Sequence, residues 1–301
     1  MISLKQISYA LAVEKTRHFK KAADQCAVSQ SALSTAITEL EKQLDIQIFE
    51  RDNKKVLITP IGQQFLTKAQ QIKLQVDDLY LLANAEKTPL SYPMTIGVIP
   101  TIAPYLLPKV LPGLRQEYPD FKLRIVEEQS HVLVDSVRKG EIDAAILALP
   151  YEHEGLLAFE FWQEDFYWVT HMNNEHAQQK EITSDELREA KLMLLKDGHC
   201  LKDHALAACK MQSTEADNTL GATSLHTLIQ MVAGRMGSTL VPAMALDQLV
   251  EGSAELRAVH LNEQGPHRTI AFLIRPNYTG VSNIELLMKL FKAELKEKAY
   301  Q

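Results

Sequence analysis

One helix dictates how this chain must be laid out. Thr59 can cap it, Pro60 suits its first position, and Phe65, Leu66, Ala69, Ile72, Val76, Leu79 and Leu82 or Ala83 follow three- and four-residue steps. At 1.5 Å per residue, the roughly 28 residues to Lys87 span about 40 Å, too long to lie along a small domain's core without a partner. The stretch 59–88 is therefore expected to be a dimerising linker helix. Lys87-Thr-Pro-Leu-Ser-Tyr-Pro93 breaks it and marks a domain boundary.

The two sides of that helix differ in charge. Residues 1–88 hold 12 Lys and Arg against 10 Asp and Glu, whereas the remainder holds 20 against 28, so the overall charge of −6 is carried by the C-terminal part. Any nucleic-acid contact belongs to the first part. Residues 1–58 read as a winged helix-turn-helix. Leu4, Ile7, Leu11 and Ala12 recur at helical spacing, Phe19, Ala22 and Ala23 begin a second helix, and Ser29 caps a third with Leu33, Ile37, Leu40 and Leu44 as its buried stripe. Its other face presents Gln30, Ser31, Ser34, Thr35 and Thr38, short side chains suited to base edges in a major groove. Phe49-Glu-Arg51, the turn 52–55 and Val56-Leu-Ile58 form the wing, where Arg51, Lys54 and Lys55, with Arg17, Lys20 and Lys21, would contact phosphates. Neither an export signal nor an apolar run of about 18 residues is evident, so a cytoplasmic location is expected.

Beyond residue 93, strand and helix alternate. Strands are expected at 94–99, 122–126, 144–149, 166–170, 191–195, 219–222, 238–241 and 269–274, with the first three in a parallel sheet. Helices are expected at 105–117, 131–139, 184–189, 224–233, 244–250 and 282–298. The run Phe19-Lys-Lys-Ala-Ala-Asp-Gln-Cys-Ala-Val-Ser-Gln-Ser-Ala-Leu-Ser34, with Glu39-Leu-Glu-Lys-Gln-Leu44, Phe49-Glu-Arg51 and Thr59-Pro-Ile-Gly62, resembles the DNA-binding domain of the LysR family of bacterial transcription regulators. The resemblance implies a double-stranded DNA operator as partner. It also implies an α/β effector domain of two Rossmann-like, periplasmic-binding-protein-like subdomains, joined to the all-α winged domain by the linker helix. Residues 91–162 plus 269–301 would form one subdomain and 163–268 the other, which carries two cysteines.

Those cysteines, in Lys196-Asp-Gly-His-Cys-Leu-Lys-Asp-His-Ala-Leu-Ala-Ala-Cys209, are accompanied only by Cys26, expected to be a buried apolar residue, so a disulfide framework is excluded. If the segment after Cys200 is helical, nine residues put the two Cα atoms roughly 13 Å apart. A disulfide needs about 4.4 to 6.8 Å, so bonding requires the helix to break, and the pair reads as a switch. Cys209, among alanines, reads equally as a small core residue. Cys200, at a helix N-terminus beside His199, is placed to favour thiolate. Two cysteines nine apart with His199 and His204 lack zinc-ligand spacing, so no metal and no cofactor is expected.

The run 194–209 resembles the peroxide-sensing loop of a redox-switched LysR-family regulator, and Ile96-Gly-Val-Ile-Pro-Thr-Ile-Ala-Pro-Tyr-Leu-Leu-Pro108, Ala222-Thr-Ser-Leu225 and Arg268-Thr-Ile270 extend the likeness along the chain. By that resemblance Cys200 is the peroxidatic cysteine and Cys209 the resolving one. Thr101, Ser130, His199 and Arg268 surround hydrogen peroxide, and Asp203 orients the loop. Ser130 stands where the family has threonine, which keeps the hydroxyl but loses a rotamer-fixing methyl. The implied protein is not an enzyme. It is a peroxide sensor controlling oxidative-stress genes, acting as a homodimer or homotetramer with RNA polymerase, and reset by a dithiol reductant such as glutaredoxin or thioredoxin. Two other readings use the same residues: a LysR regulator binding a small metabolite between its subdomains, and a thiol peroxidase. Against the latter, Asp197 stands where peroxiredoxins place threonine.

Overall fold

A computed structural model describes the chain's backbone except at residues 53, 54, 86–88, 189, 197, 199, 212–221, 300 and 301, and leaves undescribed the side chains of 51, 52, 55, 78, 80–85 and 297–299. The fold divides into two compact units, Met1–Glu86 and Lys87–Gln301.

In the first unit, α1 (Leu4–Thr16), α2 (Phe19–Gln25) and α3 (Gln30–Leu44) precede a two-stranded antiparallel ribbon, β1 (Phe49–Asp52) and β2 (Lys55–Ile58), and then α4 (Pro60–Ala85). Polar side chains fix the helix starts. Ser3 and Gln6 form a reciprocal box at α1, His18 Nδ1 accepts from the Lys20 amide at 3.2 Å, and Ser29 Oγ accepts from the Ala32 amide at 3.2 Å. Leu33, Ile37 and Leu40 enter the core with Tyr9, Ala10, Val13, Ala22, Phe49 and Leu66. The expected stripe of α1 is rotated: Leu4 is 51% exposed while Ala10 and Val13 are buried, because the helix faces both α2 and α3. Leu11, Ala12, Leu44 and Cys26 are only partly buried at the core's margin, which corrects the expectation of a fully buried Cys26.

Thr59 sits where the ribbon meets α4. Its hydroxyl donates to the Gln47 carbonyl and accepts the Gly62 amide at 2.9 Å, and a Cβ on Gly62 would run into the Ile48 carbonyl. That close approach requires glycine. The first half of α4 packs on α1 through Leu66 and Ala69, so it is part of this unit's core. Farther along, Leu74 is buried, whereas Ile72 and Leu79 of the expected seam are 42% and 63% exposed in the single chain.

The second unit contains two sheets. The first is built from β3 (Met94–Val98), α5 (Ala103–Glu117), β4 (Leu123–Glu127), α6 (Ser130–Lys139), β5 (Ala144–Leu149) and β6 (Leu157–Glu164). The chain then forms the second sheet and its helices: β7 (Phe166–His171), β8 (Glu181–Ile182), α7 (Ser184–Leu187), α8 (Cys200–Ala208), α9 (Leu225–Ala233), β9 (Thr239–Pro242), a 3-10 turn at Ala243–Ala245, α10 (Leu246–Leu249) and β10 (Leu256–Leu261). It returns through β11 (Arg268–Ile274) and ends in α11 (Val281–Ala299). Strand orders are β4-β3-β5-β11-β6 and β8-β10-β7-β9.

The first three strands are parallel, as expected, and the strands added beside them make the first sheet mixed. β3 runs parallel to β4 and β5, while β11 runs antiparallel to both β5 and β6. The expected strands at 191–195 and 219–222 are reduced, among the described residues, to single parallel bridges, Leu192 to Ser238 and Leu195 to Ala222. The first bridge needs a close approach: a Cβ on Gly237 would lie 2.6 Å from the Lys191 carbonyl. The expected helix 244–250 is split between the 3-10 turn and α10, and residues 219–221 lie outside the described residues.

Candidate functional site

The topology gathers chemically active residues at one edge of the first sheet. Thr101 and Ser130 each follow the carboxyl end of a parallel strand, β3 and β4, and Ala148 lies near the end of β5. Because β11 is antiparallel, its first residue, Arg268, stands at the same edge, opposite Glu164 at the end of β6. The carboxyl edge of such a sheet is where α/β folds place ligand chemistry.

Arg268 is 1% exposed. Its Nε donates to Glu164 Oε1 at 2.7 Å, Nη2 lies 2.7 Å from the same oxygen, and Nη2 also donates to the Thr101 carbonyl at 3.3 Å. Glu164 Oε2 accepts the Met244 amide at 2.8 Å, which ties the pair to the turn after β9. At this edge, Arg268 Nη1 and Thr101 Oγ1 are buried and have no partner among the described residues. A buried donor or hydroxyl left unpaired is costly.

Cys200 opens α8 and is 4% exposed. Burial pushes its thiol above the ordinary range, while hydrogen bonds from Ser130 and the Ala148 backbone, and the charge of Arg268, pull it back. Burial outweighs these, so the net shift runs upward, against the expected thiolate-favouring setting. Asp203 is exposed on the first turn of α8, and its charge acts against ionisation of Cys200. His199 lies outside the described residues.

Cys209 is fully buried, and burial first, then the Glu263 charge, pushes its thiol up to about 12. Its amide donates to the Ala205 carbonyl at 3.0 Å, continuing the helical pattern. The adjacent Lys210 pairs with Glu263 at 2.9 Å, and the Ser184 hydroxyl and Lys210 hold that carboxyl at about 2. Both thiols are free, and the intervening helix keeps their Cα atoms roughly 13 Å apart.

Two residues near this site are given no part in it by sequence reasoning, Glu164 and His204, the latter weighed only as a zinc ligand. Glu164 has no local signal, since its role comes from strand register with Arg268. His204 does have one: it is four residues after Cys200, hence on the same helix face. His204 is 2% exposed, and its Nε2 lies 2.8 Å from the Pro150 carbonyl just past β5. An open groove of about 760 Å³ is lined by Pro104, Leu107, Leu111 and Arg115 of α5 with Glu127 of β4. All its lining residues belong to the first sheet's layer, so it is not a cleft between the two sheets.

In the first unit, Gln30, Ser31, Thr35 and Thr38 are exposed along α3 and Ser34 is partly exposed, while Arg17, Lys20 and Lys21 are exposed around the start of α2. Arg51 and Lys55 fall in β1 and β2 with side chains outside the description, and Lys54 lies outside the described residues. No described helix is long and apolar enough to cross a membrane.

A helix-turn-helix unit followed by a two-sheet α/β unit with a buried polar site defines a DNA-binding regulator with a sensory domain. The bacterial regulatory helix-turn-helix protein, lysR family, matches residues 4–63, and the LysR substrate binding domain matches residues 88–296. The chain belongs to the LysR family, and within it closely resembles OxyR proteins. The DNA-binding transcriptional dual regulator OxyR of Escherichia coli K12 is 33% identical over 98% of this chain and 96% of that protein. The HTH-type transcriptional regulator EstR of Acinetobacter baylyi is 35% identical, covering 96% of each chain. Among solved structures, a full-length OxyR variant from Pseudomonas aeruginosa superposes with a TM-score of 0.80 at 31% identity, covering 97% of this chain and 95% of that one. A hydrogen-peroxide-bound OxyR mutant from Corynebacterium glutamicum gives 0.68 at 32% identity over 98% and 93%.

Proposed function

We propose that this chain is a hydrogen-peroxide-sensing transcription regulator whose signal is a reversible Cys200–Cys209 disulfide. The observation that carries this reading is the buried Cys200 thiol held by Ser130 at an edge where Arg268 Nη1 and Thr101 Oγ1 have no partner among the described residues. Hydrogen peroxide has the size and the donors and acceptors to satisfy both. Cys200 sulfur attacks the near peroxide oxygen and the O–O bond breaks. The thiol proton ends on the departing hydroxide, giving Cys200 sulfenic acid and water. Arg268 and the two hydroxyls stabilise the negative charge that develops on the leaving oxygen. Cys209 sulfur then displaces the hydroxyl as water, and the S–S bond forms. A dithiol reductant such as glutaredoxin or thioredoxin resets the pair.

The likeness to OxyR supports this chemistry, and the peroxide-bound relative supports the small guest. His199 and Asp203 complete the site in this reading, as peroxide contact and as loop-orienting residue. The regulator acts in the cytoplasm, as a dimer or tetramer joined through the exposed side of α4, and signals to RNA polymerase from an operator read by Gln30, Ser31, Ser34, Thr35 and Thr38, with Arg51, Lys54 and Lys55 on phosphates. One turnover of oxidation is the signal, so the chain is a sensor and not a peroxidase. Peptide mass spectrometry after titration with peroxide tests the core of the reading. About one equivalent per chain is expected to bridge Cys200 to Cys209, and Cys200 remaining a free thiol, or bridged to Cys26, would refute it.

A further inference from the structure

We infer that His204 is a positioning residue that latches the middle of α8 to the residue after β5, and that release of this latch sets the rate at which the Cys200 sulfenic acid closes on Cys209. The inference rests on the proposed disulfide chemistry. It starts from a contact between different layers: His204 Nε2 is 2.8 Å from the carbonyl of Pro150, whereas α8 itself sits in the segment that builds the second sheet. A carbonyl only accepts, so Nε2 carries the proton and donates. Nδ1 has no partner among the described residues, and the ring is therefore held through one hydrogen bond.

The geometry of α8 gives that bond its consequence. Helical spacing holds the thiols about twice as far apart as a disulfide allows, so closure must unwind turns between them. The two ends of the helix are fastened differently. At the Cys209 end, Lys210 pairs with Glu263, but the lysine side chain is 71% exposed, and such pairs contribute little in water. At the Cys200 end the His204 ring is buried, though Pro150 is exposed, and leaving the buried Nε2–H unpaired is costly. The fastening made by the buried ring is the stronger one, and Cys200 lies on the same helix face four residues earlier. Attack of peroxide on Cys200 leaves α8 in place and does not need the latch to open. Condensation of the sulfenic acid with Cys209, with loss of water, does.

Two steps can therefore be separated. In rapid-mix experiments with excess hydrogen peroxide, sulfenic acid is trapped with a dione reagent and the disulfide is counted by mass after quenching. His204→Ala is expected to leave sulfenic acid formation within two-fold of the parent and to speed closure about three- to ten-fold, the range set by one net hydrogen bond. His204→Gln, whose amide N–H can reach the same carbonyl, is expected to restore the slow closure, and Lys210→Ala to change closure less than His204→Ala. On the reduced protein, hydrogen exchange of the amides of 201–209 should accelerate by a similar factor in His204→Ala and not in His204→Gln. If His204→Ala fails to fold, His204→Asn, too short to reach Pro150, takes its place. Unchanged closure, or a Gln variant as fast as the Ala variant, or slower sulfenic acid formation at unchanged closure, would overturn the inference. Exchange on the reduced protein needs no peroxide, so a parent chain that never forms sulfenic acid sinks the sensing reading while the latch is still judged.

Discussion

Replacing Leu206 with alanine should shift the Cys200–Cys209 couple to a more negative potential. Leu206 lies in the middle of α8 and is 8% exposed, while its carbonyl accepts the Met211 amide at 2.9 Å at the helix end. In the dithiol form its side chain is packed. In the disulfide form α8 must unwind, and the same side chain loses that packing. Truncation at a well-packed leucine costs about 2 to 5 kcal/mol, and a site this near the surface of its layer falls at the low end, about 2 to 3 kcal/mol. That cost falls on the reduced state alone. For a two-electron couple about 1.4 kcal/mol corresponds to 30 mV, so the expected shift is about 45 to 65 mV toward resistance to reduction. Equilibration in glutathione or dithiol redox buffers, with alkylation to count free thiols, measures it. Leu287→Ala in α11, fully buried in the first sheet's layer, removes a leucine that packs the same way in both redox states and should leave the potential unchanged. A shift under about 10 mV for Leu206→Ala, with the reduced protein destabilised as calculated, would show that the middle of α8 stays folded in the disulfide form.

The other expectations are briefer. Thr101→Val and Ser130→Ala should each slow Cys200 oxidation about ten-fold or more in stopped-flow measurements, since each removes a hydroxyl from a buried site where charge develops. Arg268→Lys should be almost as slow as Arg268→Met, because a single ammonium cannot hold Glu164 and the Thr101 carbonyl and still direct a donor at the guest. Cys209 is neutral in the folded protein up to about 12, above the unfolded thiol range, so the folded state binds the extra proton and stability present below about pH 9 falls by about 1.4 kcal/mol per pH unit above it. Denaturation of the Cys209→Ala variant should lack that share of the slope. Thr35→Ala, on the exposed face of α3, should alter operator preference, whereas Lys21→Ala should weaken all sequences alike and flatten the salt dependence; footprinting across a salt series distinguishes them.

The parts of the fold that the sequence foretells are those whose period and caps agree. Ser29 and the Leu33, Ile37, Leu40 stripe specify α3, and Ala144–Leu149, an uninterrupted buried run, specifies β5. What escapes is edge structure. In β6, exposed Leu157, Ala158, Glu160 and Gln163 alternate imperfectly with Phe161 and Glu164, so the segment does not read as a strand until β11 pairs with it. Conversely, Leu192–Leu195 is fully buried and reads as a strand, yet forms only single bridges, because burial and ladder pairing are separate properties. The site is legible in the same uneven way. Cys200 and Cys209 announce themselves by their rarity, but the meeting of Thr101, Ser130 and Arg268 depends on β11 returning antiparallel beside β5, a long-range pairing that no local pattern encodes.

That long-range pairing also decides the electrostatics of the thiol. A lone buried guanidinium near Cys200 would favour thiolate permanently and expose the sulfur's full nucleophilicity to any oxidant that reached it. Here Glu164, carried by the strand that escaped sequence reading, sits across from Arg268 and takes up two of its nitrogens. The pair has no net formal charge, and burial raises the Cys200 thiol by more than the Ser130 hydrogen bond and the Arg268 charge lower it. What the arginine keeps is a directed donor, Nη1, with no partner among the described residues. In the proposed chemistry that donor becomes effective only when a guest small enough to enter the site accepts from it beside Thr101 and Ser130. Selectivity for a small peroxide then comes from local hydrogen bonding at the leaving oxygen, and not from a generally activated cysteine.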